Sequence, residues 1–325
     1  MTEKVFEKGI ILKGVGGLYT VRPLSECEGQ ENRTYTCRAR GVFRHEGITP
    51  LPGDIVTLAP ADSAERTDDG EFVIDAIDER KSYLIRPALA NLTHLFAVIP
   101  AAEPAPDIYS ADKLISAAEN KGIEPVVIVT KADTAQESAN AIYETYTKGG
   151  FTVILTDKDG KGDTYLTDYI EKQADKGFFC AAFAGVSGAG KSTLMTRLFP
   201  DLNLKTGEVS RKIQRGRHTT RHAELYPMEC KESTYYIADT PGFSMIDFAR
   251  FNFVEEDELP YSFREFAPLM GECRYKKCTH TKEEGCAVLQ SVKSGEIAKS
   301  RHASYIMMLE EIKKNPPWKR KNLQS

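Results

Sequence analysis

Apolar and polar positions change rhythm twice along the 325-residue chain. Up to about residue 85, short apolar runs (Gly9–Val21 with its paired glycines, Arg33–Phe43, Asp54–Ala59 and Glu71–Ile77) are broken by turns such as LPGD and TDDG. Short runs bounded by Gly, Pro and acidic residues predict a small β-barrel or sandwich. From about Asn91 an apolar strand alternates with an amphipathic helix: LTHLFAVIP, Ala111–Asn120, EPVVIVT, Ala135–Lys148, FTVILT, FFCAAFAG, a helix from Lys191, and TYYIADT. That alternation predicts an α/β unit with a doubly wound, parallel sheet. Beyond about residue 255 no strand pattern appears; an acidic EEDE segment, a cysteine cluster, a helical run Ile297–Ile312 and a basic tail follow. The expected domains are therefore 1–85, 86–255 and 256–325.

Composition narrows the class. With 41% hydrophobic and 28% charged residues the chain can bury real cores, which excludes wholesale disorder. The longest apolar runs, Leu95–Pro100 and Pro125–Val129, fall far short of the roughly 18 residues of a membrane span. The N-terminus MTEKVFEKGI lacks a signal-peptide apolar segment, so a soluble cytoplasmic protein is expected, with no membrane partner. Net charge of −4 gives no global attraction to nucleic acid, but two local patches are basic. One holds Arg211, Lys212, Arg215, Arg217 and Arg221; the other holds Lys313, Lys314, Lys319, Arg320 and Lys321 around Trp318. Each reads either as solvated surface or as a contact to RNA phosphates, the second with stacking.

Four motifs carry chemistry. Gly185-Val186-Ser187-Gly188-Ala189-Gly190-Lys191-Ser192 satisfies GxxxxGK[ST] between an apolar strand and a helix, the setting of a phosphate loop. Glycines let backbone amides, here from Gly185 through Thr193, approach phosphate oxygens at a helix N-terminus. Lys191 would reach the β- and γ-phosphates, and the Ser192 hydroxyl would bind Mg²⁺. Asp239-Thr240-Pro241-Gly242 follows an apolar strand, placing Asp239 where it can hold Mg²⁺ through water and the Gly242 amide where it can meet a γ-phosphate. Thr130-Lys131-Ala132-Asp133 resembles the guanine-reading NKxD: Asp133 would accept from the N1–H and 2-amino groups of guanine, with the Lys131 stem against the base. Finally, Cys273, Cys278, His280 and Cys286 give C-x4-C-x-H-x5-C, a closed tetrahedral donor set for one structural Zn²⁺. Cys27, Cys37, Cys180 and Cys230 are scattered and read as buried apolar residues.

The order of the motifs is unusual. The guanine motif at 130 precedes the phosphate loop at 185 and DTPG at 239, whereas in most GTPases the phosphate loop comes first and the guanine motif last, so the chain reads as circularly permuted. This order, the N-terminal barrel pattern, Gly216-Arg217-His218-Thr219-Thr220 and the Cys/His cluster together resemble the ribosome small-subunit-dependent GTPase family (RsgA, also called YjeQ) over nearly the whole chain.

The resemblance implies an OB-fold barrel that binds RNA, a permuted P-loop GTPase with Mg²⁺ and GTP, and a helical zinc-binding domain. It further implies a monomer that acts on the small ribosomal subunit and its rRNA late in maturation, or as an assembly checkpoint, and is released on hydrolysis. It makes residues 216–220 the first switch, with Thr219 or Thr220 as a second hydroxyl ligand to Mg²⁺, and Thr130, Lys131 and Asp133 the base site. The chain departs from the family pattern where Thr130 stands for Asn and where FTVILTDKDG lacks a Ser-containing loop behind the guanine.

After DTPG stands Phe243, an apolar ring that cannot orient water as glutamine does in Ras-like enzymes. Slow intrinsic hydrolysis is therefore expected, accelerated when a partner orders the switches and places His218 beside the water. Two alternatives stay open: an ATPase with the same phosphate site, and a zinc-containing RNA-binding or chaperone module whose nucleotide is a structural ligand.

Overall fold

A computed structural model describes residues 7–24, 33–61, 72–200, 202, 223–230, 233–239 and 254–314. The chain divides into two compact units, one comprising Met1–Thr93, Ala174–Ala182 and Gln214–Gly242, the other His94–Gln173, Phe183–Ile213 and Phe243–Ser325.

In the first unit, β1 (Glu7–Val15), β2 (Leu18–Pro23), β3 (Tyr35–Ala39), β4 (Ile55–Pro60) and β5 (Phe72–Ile77) form a barrel in the order β1-β2-β3-β5-β4. Antiparallel pairing of β4 with β1 closes it, so no strand edge is left open. The run expected as one segment over Gly9–Val21 folds back at Gly16–Gly17 into β1 and β2. A register shift between Ile11 and Lys13 bends β1, which lets one strand pair with both β2 and β4. The inward positions Ile11, Val21, Cys37, Val56, Leu58 and Ile74 fill the interior with Phe43. Phe43 stands on a short helix, α1 (Val42–His45), and not on a continuation of β3 as its apolar run predicts. The paired strands β6 (Tyr83–Leu84) and β7 (Leu89–Ala90) follow; nearby, Arg80 forks onto the fully buried Asp54 at 2.7 and 2.8 Å.

The second unit carries parallel strands β8 (His94–Pro100), β9 (Glu124–Thr130) and β10 (Thr152–Leu155). In β8 and β9 every residue after the first is buried, as required of strands covered by helices on both faces. Those helices are α2 (Ile108–Asn120) and α3 (Gln136–Lys148), with α4 (Asp163–Ala174) after β10. Asp107 caps α2 by accepting from the Ser110 amide, and Ala111, Leu114, Ile115 and Ala118 form its buried stripe.

β11 (Cys180–Gly185) contributes its first half to the first unit, where Cys180–Ala182 pair in parallel with β13 (Ser233–Asp239). β13 then pairs antiparallel with β12 (Glu224–Cys230). The expected sheet is all parallel; the departure follows from the short 231–232 connection, which can only reverse the chain.

α5 (Lys191–Leu198) starts at the phosphate-loop lysine. Past residue 254 no strand occurs among the described residues; α6 (Ala287–Ser294) and α7 (Lys299–Lys314) follow two 3-10 turns. Arg301 of α7 is fully buried, donating to Asp112 of α2 at 2.6 Å and forking onto Glu265 at 2.7 and 3.1 Å. Stripping one partner from such a buried set costs about 3–5 kcal/mol, so α7 and α2 are firmly joined.

Candidate functional site

The phosphate loop is built by strand-to-helix geometry. A Cβ on Gly185 would lie 2.5 Å from the Val98 carbonyl, so only glycine lets β11 end this close to β8. Gly190, N-terminal to α5, holds φ +90°, a conformation other residues rarely adopt. The Lys191 ammonium folds back on the loop, donating to the Gly185 and Val186 carbonyls at 2.8 and 2.9 Å. Burial holds it below the ordinary lysine range, a cost that anionic phosphate would relieve. Ser192 and Thr193 are exposed in the first turn of α5, where free amides and the helix dipole favour an anion.

The Thr130–Asp133 turn sits against this loop. Lys131, in a left-handed conformation (φ +57°), donates to the Gly188 carbonyl at 3.0 Å and to the Glu103 carbonyl. Thr130 is buried, and its hydroxyl donates to the Ala189 carbonyl at 2.6 Å. The departure from asparagine therefore does not leave the loop untied: the hydroxyl supplies a donor to the phosphate loop, the service an amide at this position could give. Asp133 is exposed at the end of the turn, available to a ligand.

The second loop that departs from the family pattern is also anchored. Thr156 is buried; its amide donates to the Val129 carbonyl at 2.7 Å and its carbonyl accepts from the Ala132 amide at 3.2 Å. Sequence reading missed Arg197, which holds the next part of this loop, and it missed the Glu103 carbonyl. A lone arginine and a backbone oxygen give no sequence signal.

Asp239 ends β13, its backbone in register with Glu224; its side chain, with Thr240, Gly242 and Phe243, lies outside the described residues. So do Gly216, Arg217, His218, Thr219 and Thr220, the neighbouring Arg211, Lys212, Arg215 and Arg221, Cys27, and Trp318, Lys319, Arg320 and Lys321. Lys313 and Lys314 close α7, and Lys313 pairs with Glu256 at 3.4 Å.

The Cys/His cluster is brought together: the donor atoms of Cys273, Cys278, His280 and Cys286 all lie within 4.8 Å of one another. His280 Nδ1 is 3.6 Å from Cys273 Sγ and 3.5 Å from Cys286 Sγ, and those two sulfurs are 3.9 Å apart. A tetrahedron with Zn–S of about 2.3 Å and Zn–N of about 2.0 Å has edges of about 3.8 Å (S–S) and 3.5 Å (S–N), so the donors fit zinc. The sulfurs are too far apart for a disulfide. Burial holds His280 below the usual histidine range, favouring the neutral ring a metal needs. Glu283 braces the loop by accepting from the amides of Thr279, Thr281 and Lys282. Cys37, Cys180 and Cys230 are buried, as their apolar reading expects.

Comparison with known proteins places this geometry among relatives. The family profile described as RsgA GTPase matches residues 77–249, and that of the RsgA N-terminal domain matches residues 8–67. The small ribosomal subunit biogenesis GTPase RsgA of Alkaliphilus metalliredigens is 38% identical over 309 residues, covering 95% of this chain and 98% of its own. The protein of that name from Bacillus subtilis is 35% identical over 315 residues, covering 95% and 99%. Among solved structures, YloQ, a circularly permuted GTPase, is 31% identical with a TM-score of 0.73, covering 98% of this chain and 99% of its own. YjeQ from Thermotoga maritima is 28% identical with a TM-score of 0.75, covering 95% and 99%.

Proposed function

The chain belongs to the RsgA GTPase family, and on that premise we propose that it hydrolyses GTP when engaged with the small ribosomal subunit, late in that particle's maturation, and leaves on hydrolysis. The observation that carries the reading is the tie between a guanine-type loop and the phosphate loop, through Thr130 to Ala189 and Lys131 to Gly188. One nucleotide can thereby meet Asp133 with its base and Lys191 with its phosphates. The domains are read as 1–85 for RNA contact, 86–255 for GTP and 256–325 for zinc.

In this reading, amides of residues 185–193 and the Lys191 ammonium cradle the phosphates, and Asp133 selects guanine because adenine offers it an acceptor instead of the N1–H. Ser192, Asp239 and one of Thr219 or Thr220 would hold Mg²⁺, which when bound neutralises charge on the transferring phosphoryl group. Phe243 cannot orient water, so turnover waits for the particle to order the switch carrying His218. One Zn²⁺ fixes the C-terminal loop. Beside its ligands, exposed Tyr261 and Tyr275 line a cleft with Lys276 and Lys277, a combination suited to stacking on bases and neutralising phosphates. Among the described residues no helix is long and apolar enough to cross a membrane. The reading takes the protein as a cytoplasmic monomer.

The deciding experiment measures phosphate release from GTP and ATP, with and without purified small ribosomal subunits, at fixed salt and magnesium. Stimulation confined to GTP is expected; equal ATP turnover would overturn the guanine reading, and no stimulation would overturn the partner. A second arm uses His218→Ala, for which stimulated turnover is expected to fall about 10²-fold or more while GDP affinity holds. Unchanged stimulated turnover would remove His218 from the mechanism.

A further inference from the structure

We propose that Arg197, on the helix that begins at the phosphate-loop lysine, is a positioning residue that sets the base-side loop 156–162 and thereby guanine affinity and selectivity. The inference rests on the reading of Thr130–Asp133 as the base site and asks what holds the wall beside it.

The loop begins at Thr156, whose backbone bonds Val129 and Ala132 and so lies directly against the guanine-type turn. Its next two carbonyls, Asp157 and Lys158, accept from Arg197 Nη1 at 2.8 and 3.3 Å. The other edge of the guanidinium forks onto Asp163 at the start of α4, Nε to Oδ2 at 2.7 Å and Nη2 to Oδ1 at 2.8 Å. Within the loop, Asp157 Oδ1 accepts from the Asp159 and Lys161 amides, both at 2.9 Å. Each peptide is planar and trans, so fixing the carbonyls of residues 157 and 158 also fixes the opposed amides of residues 158 and 159.

These bonds supply what the sequence lacks. The family's serine behind the guanine is missing, and a seven-residue connection from Leu155 to Asp163 would pay for its ordering each time a base enters. A planar fork with three engaged nitrogens orders it beforehand, which lysine, a single point charge, cannot reproduce. The same helix therefore presents Lys191 to the phosphates and sets the wall beside the base.

The test compares wild-type protein with Arg197→Ala and Arg197→Lys, using GDP, ADP, inosine diphosphate (which lacks the 2-amino group) and tripolyphosphate, which can touch only the phosphate loop. Arg197→Ala should weaken GDP about tenfold or more and narrow the GDP-to-inosine-diphosphate ratio, with tripolyphosphate unchanged. The loss should appear in KM for GTP and not in kcat, and Arg197→Lys should recover only part of it. Parallel weakening of GDP and tripolyphosphate would overturn the proposal, since Arg197 would then merely support the phosphate helix; so would unchanged GDP affinity. Should Arg197→Ala fail to fold, Asp163→Asn keeps the carbonyl contacts while weakening the fork, and a smaller change of the same pattern is expected; no change overturns the proposal. Wild-type protein that binds GDP and ADP alike would defeat the base-site reading itself, and the inference with it. Guanine preference retained in full by Arg197→Ala would defeat the inference alone.

Discussion

Removing zinc from the folded protein with a strong chelator should expose three thiols to a thiol reagent, those of Cys273, Cys278 and Cys286, and abolish hydrogen-exchange protection across 271–286. The size of the effect follows from how little else holds this loop. Between Gly271 and Gly285 the one buried residue is His280, so no apolar core replaces the metal. The loop meets α7 through two polar contacts, Tyr305 donating to the Thr279 carbonyl at 2.9 Å and His302 Nε2 lying 2.8 Å from the His280 carbonyl, and through the His280 and Tyr305 rings, whose centroids are 6.4 Å apart. Structural zinc sites bind with about 10–16 kcal/mol, far more than these contacts and the Glu283 brace supply at about 1 kcal/mol each.

The remaining described cysteines serve as an internal control. Burial pushes the Cys37 and Cys180 thiols up to about 12, and Cys230 is buried as well, so these should stay silent while the fold persists. The Arg301 pairing to Asp112 and Glu265 should keep α7 on α2 after the loop melts, confining the change. Equal thiol reactivity before and after chelation, in protein shown by metal analysis to have carried zinc, would disprove a structural role.

Lys191→Ala should lower GTP turnover by about 10²–10³-fold, the usual loss when one donor aimed at developing charge is removed. The ammonium donates to two loop carbonyls at 2.8 and 2.9 Å, and burial lowers its pKa. Phosphate oxygens would take over those bonds and supply the counter-charge that burial withholds, so the interaction strengthens as charge gathers on the transferring group. Lys191→Arg should not rescue activity, because a planar guanidinium does not reproduce the compact ammonium that donates to the Gly185 and Val186 carbonyls. Single-turnover hydrolysis beside GDP titration separates the contributions: the larger loss belongs in the chemical step, with a smaller one in GDP affinity. Turnover within twofold of wild type would remove Lys191 from catalysis.

Local spacing by itself determined much of this protein. The full phosphate-loop match, the base motif placed ahead of it and DTPG behind it specified a permuted nucleotide-binding order, because each motif is a contiguous run whose chemistry depends on near neighbours. The Cys/His cluster was legible for the same reason: its four residues fall within a stretch of fourteen, from Cys273 to Cys286.

What only the tertiary structure decided are contacts between residues far apart in the chain. Thr130 is a departure from asparagine in the sequence and a tether to Ala189 in the fold, fifty-nine positions away. Arg197 and Asp163 are ordinary charged residues until a helix and a loop bring them to 2.7 Å. Arg301 reads as one more surface charge on a helical run, and becomes a fully buried ion through Asp112 on α2 and Glu265 in the turn between the two 3-10 segments. Phe43 continues an apolar run that looks like strand, yet it packs into the barrel interior from a short helix, and packing overrode the local pattern. Periodicity and motifs report the chemistry a segment carries; they hold no information on which distant partner satisfies a charge or a hydroxyl, and the fold alone makes that choice by excluding water from it.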